Sequence, residues 1–518
     1  DVELCVKLDE KIGIVDYYHS IALEAGCSVE STEFSTKIID MFIFHLLSGT
    51  VILPSKGMFI SKGIDEGGYV HEAYRGMLEN FVVMDLKSEY PSIMLTINAS
   101  PETRVKRNIC RFCRLADGCK KKGPFGVSKC EDIKPNGEVF IAPSKNIYLK
   151  GQQGLVPTII ERMLNTRARY KKEMNKYAEM MVKEQDPEKR SEYEKLRKVW
   201  YEKQRAIKYT TNAFYGVMGH VDRKTGKSKF RLADGELGSD VTEIARLHNK
   251  WTRDFIQKEF GYITRYADTD SVMFQAGIDK LDEKEIEMLY GVCDKINESY
   301  DDFALQLNAE THRFIIEFEK VYGSFFQAGA KKRYAGLLSW KDGKFLDKLT
   351  YDERMEVKGF EVKRSSSPII TRTTQKELFK MILTGSSEDE VRKYISDIFL
   401  KIKSGAIQDE LGVPCGLNKS EYKNVPIHLR AAEWSNKNLG KDFTFGDKPR
   451  YFYIKFSTSN VAALDWNDSV SEFPITLDLE ILMEKALWKP LGDLFEVYGI
   501  TWEEIVTGTK DVDLAEAW

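Results

Sequence analysis

Apolar positions recur at helical spacing through residues 1–50, and the pattern breaks at Pro54 and Gly57 in LPSKG, which predicts helices running into a linker. Beyond GIDEGGYV, the run FVVMDL at 81–86 is continuously apolar and then turns acidic and polar. A buried strand delivering Asp85 to its end is expected. From Pro157 to Gly219 the chain becomes rich in Lys, Arg, Glu, Met and Leu, interrupted by QDPEKR at 185–190. Two long helices in an antiparallel hairpin fit this, with Asp186 and Pro187 in the turn. YITRYADTDSVMF, from 262, puts β-formers on both sides of acidic residues and predicts a β-hairpin with Asp268 and Asp270 at its tip. A strand-rich part follows to about 345, then a mixed part with helices near 374–403 and 478–498. No internal repeat or low-complexity tract interrupts the chain.

With 518 residues, 42% hydrophobic and 12% aromatic, the chain can bury more than one core, so several domains are expected. The net charge of -3 gives no global sign of nucleic-acid binding, and a polyanion would have to be met by local basic patches. The apolar stretch IIDMFIFHLL at 38–47 is far short of the roughly 20 residues that cross a bilayer, so no membrane association is expected. No secretion signal precedes it and the first residue is Asp1, which reads as a fragment of an intracellular protein.

Asp85 closes one apolar strand, and Asp268 with Asp270 sit in a tight turn about 180 residues later. If the two strands lie side by side, the carboxylates meet, and hard oxygen donors of this kind suit Mg²⁺, which recruits substrate phosphates as further ligands. Two such ions roughly 3.5–4 Å apart could activate an attacking oxygen and stabilise a leaving one. A solvated acidic turn is the plainer reading of any one of these aspartates. On the helical hairpin, Arg167 and Lys171, then Lys208 and Asn212, are each four residues apart and share a helix face. Such a face could clamp a triphosphate, Arg as a fork and Lys as a point charge, although a charged solvated face has the same pattern.

Three ordered segments carry a resemblance that decides between these readings. MDLKSEYPSIM at 84–94, IKYTTNAFYGVMG at 207–219 and YADTDS at 266–271 resemble motifs A, B and C of the family B DNA polymerases, of archaeal and eukaryotic replicative type. KKRYAG at 331–336 resembles that family's primer-template contact motif, and KGFEVKR at 358–364 the start of its thumb. The resemblance implies an α+β multidomain, right-hand polymerase fold with an antiparallel-sheet palm, helical-hairpin fingers and a mixed, mainly helical thumb. Its domain scheme is a remnant of the exonuclease region and linker at 1–57, palm at 58–156 and 220–350 with a Cys-containing insertion at 108–130, fingers at 157–219 and thumb at 351–518.

Carried over residue by residue, the resemblance makes Asp85 and Asp268 the Mg²⁺-bridging carboxylates, with the Leu86 carbonyl completing a site and Asp270 the neighbouring acid. Ser88, Glu89, Tyr90, Arg167, Lys171, Lys208, Asn212, Tyr215 and Gly216 would bind the dNTP. Tyr90 would be the steric gate against a ribose 2′-OH, and Lys208 would also donate a proton to the departing pyrophosphate. Lys331, Lys332, Arg333, Tyr334, Lys358 and Gly359 would contact primer-template DNA. A sliding clamp is a candidate further partner. Two positions depart from the family pattern: Glu89 stands where leucine is usual, and Ala267 where glycine is common. Glu319 is a candidate additional palm acid.

Asp1 resembles the aspartate closing the third motif of the family's 3′–5′ exonuclease, so proofreading is expected only of a longer parent protein. Cys110, Cys113, Cys119 and Cys130 follow C-x2-C-x5-C-x10-C, a spacing open to structural Zn²⁺, to disulfides or to free thiols. Cys5, Cys27, Cys293 and Cys415 read as packed side chains. A catalytically inactive homologue serving as a DNA-binding scaffold is the rival from another class, and intact Asp85, Asp268, Lys208 and Asn212 count against it. An enzyme using ribonucleotides or an RNA template is the other rival. Tyr90 argues against ribonucleotides.

Overall fold

The computed structural model describes residues 2–53, 55, 67–104, 139–219, 225, 227, 228, 230–418, 424–501 and 504. Helices α1 (Val2–Ile12), α2 (Ile14–Ala25) and α3 (Ser35–Leu47) open the chain. Gly13, at φ 67°, supplies the left-handed turn between the first two. Strand β1 (Arg75–Leu86) buries Phe81, Val82, Val83 and Met84 in succession. Covering both faces of a strand removes any need for polar alternation, which is why this run is continuously apolar. Helix α4 (Glu89–Thr96) follows at once.

After the short antiparallel pair β2 (Val139–Ile141) and β3 (Ile147–Leu149) come α5 (Leu155–Lys183) and α6 (Pro187–Met218). These are the hairpin the sequence predicts. Asp186 caps α6 by accepting from the Glu188 amide at 3.0 Å, and Pro187 starts it, where its missing N–H costs nothing. Helix α7 (Gly235–Phe260) is capped by Asp234, whose carboxylate takes the amides of Glu236 and Leu237, and ends at Gly261. Then follow β4 (Ile263–Asp268), β5 (Ser271–Gln275), α8 (Glu283–Gln306), β6 (Ile316–Ala328), β7 (Tyr334–Lys341), β8 (Lys344–Phe345), α9 (Tyr351–Arg354) and β9 (Met355–Lys358). Seven of the described strands form one sheet in the order β4, β5, β1, β6, β7, β8, with β9 beside β7.

The remainder holds α10 (Ile369–Leu383), α11 (Glu388–Lys403), β10 (Val413–Pro414), α12 (Ile427–Asn438), β11 (Arg450–Lys455), β12 (Val461–Leu464), β13 (Thr476–Leu477), α13 (Leu479–Met483) and α14 (Lys489–Phe495). Here β10 and β12 both pair antiparallel with β11, as does β13.

The chain forms two compact units, one of residues 1–70, 84–272 and 284–318, the other of 71–83, 273–283 and 319–518. In the first, α2 and α3 pack against α6, and α4 packs against α5, α6 and α7. The Tyr170 hydroxyl on α5 donates to Glu24 on α2 at 2.6 Å, tying the hairpin to the opening helices. In the second, Phe379, Ile382, Val391, Ile395, Phe399, Ile402, Leu487 and Leu491 make a core with Phe452 and Leu464 of the β10–β13 sheet. Each such side chain contributes about 1.5–3 kcal/mol by leaving water. A smaller cluster seats Ala431 and Ala432 of α12 on Val461 and Ala463. The segment beyond 351 is thus mixed α and β, and the fold class is α+β in several packed parts.

Among the described residues no helix is long and apolar enough to cross a membrane. Of the scattered cysteines, Cys293 is buried and its thiol donates to the Ile316 carbonyl, Cys27 and Cys415 are half-buried, and Cys5 is exposed. Packing therefore holds for Cys293 and fails for Cys5, because α1 buries none of its side chains. Cys110, Cys113, Cys119 and Cys130 lie outside the described residues, as does Asp1.

Candidate active site

The site is built in the first unit, where the end of β1 meets the β4–β5 turn. The Leu86 amide donates to the Asp270 carbonyl at 2.6 Å, and the Lys87 amide to the Ile315 carbonyl at 2.8 Å. Asp85 is half-buried at the strand end, Asp268 half-buried at the end of β4, and Asp270 exposed in the turn. Thr269 takes φ 61°, a left-handed conformation that lets the turn be this tight, and its amide donates to the Tyr69 carbonyl at 2.8 Å. The carboxyl groups of Asp85 and Asp270 both act electrostatically on Glu89, so both acidic segments lie near that side chain.

Among the described residues no group of three or more His, Cys, Asp or Glu side chains is arranged to hold a metal ion. Mg²⁺ asks for less, since one or two carboxylates plus waters and substrate phosphates complete its six oxygens. Asp85, Asp268 and the neighbouring backbone carbonyls are hard oxygen donors of that kind, so the donor chemistry fits Mg²⁺ bound together with a phosphate substrate.

Ser88, at φ 47°, turns the chain out of β1 into α4, and Tyr90 follows in the first turn. The Tyr90 ring lies against that of Tyr215 on α6, centroids 4.4 Å apart and planes 40° apart. Burial, followed by the nearby Glu89, holds the Tyr90 phenol well above its ordinary pKa, so it stays neutral. A Cβ on Gly68 would fall 2.8 Å from Thr269 Cγ2 and 3.0 Å from the Tyr90 hydroxyl. Only glycine lets that segment lie so close to both. Gly216, next to Tyr215, is exposed.

Arg167 and Lys171 on α5 face the same region as Lys208 on α6. Burial lowers the Lys171 pKa, and the positive charges of Arg167, Lys87 and Lys208 lower it further against the pull of Glu317. Three cations are therefore close enough to repel the Lys171 ammonium. Arg167 is lowered by burial too, and its buried Nε has no hydrogen-bond partner among the described residues. Lys208 and Asn212 are exposed. Lys171 therefore sits in a cluster of cations in which the buried Arg167 Nε lacks the hydrogen bond that a buried polar group ordinarily makes. Lys87, which ion-pairs with Glu317 at 2.5 Å, belongs to this cluster and was not expected from the sequence.

The carboxyl of Glu89, expected among the nucleotide contacts, turns inward to His248 of α7, Oε1 to Nδ1 at 3.3 Å. Burial, with Asp270 and Asp85 adding to it, holds the Glu89 carboxyl well above the usual range, while burial and the nearby His312 push the His248 imidazole down to about 3. The imidazole is therefore neutral at pH 7, and the Glu89 carboxyl is shifted toward its protonated form. The next residue, Asn249, donates from Nδ2 to the carbonyls of Thr269 at 3.2 Å and Ser271 at 3.4 Å, and Arg246 donates to the Gly67 carbonyl at 3.0 Å. Sequence reasoning missed all three. Their only signal is polar residues on the buried stripe of α7, where His248, Asn249 and Thr252 are all buried.

In the second unit Lys331 and Lys332 are exposed in the turn between β6 and β7, and Lys358 is exposed at the end of β9. Arg333 is already engaged, ion-paired with Asp493 at 2.8 Å and lying 4.5 Å over the Phe360 ring. Tyr334 is buried, with its neighbour across the strands, Lys358, over its ring. Gly359, at φ 75°, packs so tightly that a Cβ would lie 2.0 Å from the Lys332 carbonyl oxygen. Of this motif the lysines are exposed, while Arg333, Tyr334 and Gly359 build the turn on which Lys331 and Lys332 lie. Glu319, on β6, ion-pairs with Lys320 at 3.4 Å.

The site thus combines an acidic turn beside the end of β1, the stacked rings of Tyr90 and Tyr215, and a cationic helical hairpin. The family model described as DNA polymerase family B matches residues 27–497, and the chain belongs to that family. It is 28% identical over 476 residues to the DNA polymerase delta catalytic subunit of Schizosaccharomyces pombe, covering 89% of this chain and 38% of that protein. It is 26% identical over 518 residues to the DNA polymerase delta catalytic subunit of Drosophila melanogaster, covering 96% of this chain and 42% of that protein. To a DNA polymerase of Archaeoglobus fulgidus it is 27% identical over 402 residues, covering 76% of this chain and 40% of that protein. The chain thus spans less than half the length of these relatives.

Proposed function

We propose that the chain is the catalytic portion of a DNA-directed DNA polymerase that adds a dNMP to a primer 3′-OH, with the site described above as its active centre. The observation that supports this reading is the hydrogen bond from Leu86 to Asp270, which sets the end of β1, where Asp85 lies, against the turn that follows Asp268. In the right-hand scheme, 157–219 are the fingers, 58–156 and 220–350 the palm, and 351–518 the thumb.

The primer 3′-oxygen attacks the α-phosphorus of the dNTP, a new P–O bond forms, and the bond to the β-phosphate oxygen breaks with its electron pair leaving on pyrophosphate. Asp85 and Asp268 would hold Mg²⁺, whose chemistry when bound would be to lower the pKa of the attacking hydroxyl and neutralise the phosphates. Arg167, Lys171 and Lys208 bind the triphosphate oxygens, and Lys208 supplies a proton to the departing pyrophosphate. Tyr90 and Tyr215 form the floor under the incoming nucleotide, and the neutral Tyr90 ring excludes a 2′-OH by contact. Most of the acceleration is positioning and charge neutralisation.

Primer extension on primed DNA with dNTPs and Mg²⁺ tests this, with Asp268→Ala alongside. Extension that falls by about 10³ or more in the variant supports the reading. Folded protein that binds primer-template and extends nothing across salt, temperature and metal would instead leave a DNA-binding scaffold.

A further inference from the structure

The pair Glu89 and His248 is costly for stability alone. Each side chain is 2% exposed or less, and the three rings of Tyr300, Phe303 and Phe314 lie 4.4, 5.0 and 4.6 Å from the imidazole. Glu89 Oε2 and His248 Nε2 have no hydrogen-bond partner among the described residues. Two apolar side chains would fill such a box without stranding polar atoms, and replacements of that kind are commonly neutral or stabilising. What a polar pair adds is direction, because a hydrogen bond fixes one geometry where apolar packing permits several.

The place where that direction is applied is specific. Glu89 is the first residue of α4, Ser88 before it offers no side-chain cap, and Tyr90 is the next residue. The bond to His248 therefore anchors the very turn that carries the Tyr90 ring. Asn249, adjacent to His248 on α7, binds the two carbonyls of the acidic turn. One helix, through neighbouring side chains, thus holds both the segment bearing Tyr90 and the segment bearing Asp268. Tyr90 in turn packs on Tyr215 at 4.4 Å, so a small rotation at Glu89 moves the ring within that stack.

We infer that Glu89 and His248 are a buried positioning pair that fixes Tyr90 for sugar selection, so that discrimination between deoxyribonucleotides and ribonucleotides depends on a hydrogen bond neither nucleotide touches. The inference rests on the polymerase reading above. Neither residue is a catalytic residue, and their effect passes through Tyr90.

The experiment is single-nucleotide insertion of dCTP and of CTP opposite a template guanine, with primer-template Kd and Tm measured on the same proteins. Glu89→Leu and His248→Phe each lower the ratio of kcat/KM for dCTP over CTP by about tenfold or more, a change of about 1.4 kcal/mol. The loss comes mainly from a lower KM for CTP, and primer-template Kd stays as in the parent. Glu89→Gln, which keeps a hydrogen-bonding head, recovers selectivity relative to Glu89→Leu.

The double variant Glu89→Leu with His248→Phe guards against loss of folding in the single ones. It keeps or raises Tm yet remains unselective, which separates stability from positioning. A folded double variant with the parent's selectivity overturns the inference while leaving the polymerase reading intact. A parent protein that inserts neither nucleotide overturns both.

Discussion

The Leu86 amide donates to the Asp270 carbonyl at 2.6 Å, joining residues 184 positions apart by a single backbone bond. Asp85 precedes Leu86 in the chain and Asp268 lies two residues before Asp270, so this junction bears on the spacing of the two carboxyl groups. In the proposed reaction this spacing decides whether both can share the same metal ions.

Asp85→Asn and Asp268→Asn are expected to lower kcat by about 10² to 10³ with little change in Tm, since both side chains are only half-buried. Asp270→Asn, at the exposed position in the turn, is expected to lose less. Steady-state primer extension together with thermal melts checks the order.

The cationic cluster makes a separable prediction. Arg167→Ala and Lys171→Ala are expected to raise KM for the dNTP about tenfold or more, because in the proposed reaction they bind phosphate in ground and transition states alike. Lys208→Ala should lower kcat as well, if it supplies the proton to pyrophosphate. Lys87→Ala, which releases Glu317 into the cluster, should also raise KM. Equal KM in all four variants would refute the clamp.

Gly359→Ala should destabilise the second unit by about 2 kcal/mol or more, through a disfavoured φ and a clash with the Lys332 carbonyl. Chemical denaturation measures it. Primer-template binding should weaken in step, because the turn that presents Lys331 and Lys332 leans on Gly359. Unaltered stability would show that the turn can give way.

Glu356 carries a pH dependence. Burial opposes its charge, but hydrogen bonds from Lys320, Tyr322 and Lys341, together with the Lys320 charge, outweigh burial and hold the carboxyl at about 2 against its ordinary 4.5. Between those values the unfolded chain binds more protons than the folded one, so stability falls as pH falls. The contribution is complete above about pH 4.5 and is lost toward pH 2. Glu356→Gln should cost about 1–3 kcal/mol at pH 7 and flatten the acid limb of stability against pH. A parallel limb in the variant would assign the acid sensitivity elsewhere.

Much of this arrangement was legible in the sequence because it is local. The continuous apolar run before Asp85 marks a strand covered on both faces, the Asp186 and Pro187 pair marks a helix start, and acidic residues between β-formers mark a hairpin tip. Each follows from backbone preferences over a few residues, and the order of three motifs then carried the family. Spacing also placed Arg167 with Lys171 and Lys208 with Asn212, since residues four apart must share a helix face.

Tertiary structure alone decided which of these groups meet and which way each turns. Nothing local distinguishes Glu89, whose carboxyl goes into an aromatic box, from Lys87 two residues earlier, which joins the cations. The same holds for Arg333 and Tyr334, spent on Asp493 and the core while the adjacent lysines stay exposed. His248 and Asn249 gain their partners only because α7 is packed against α4 and the acidic turn. The reason is physical: a side chain's direction is fixed by the element it lies on, but its partner is fixed by which element the rest of the chain brings against it.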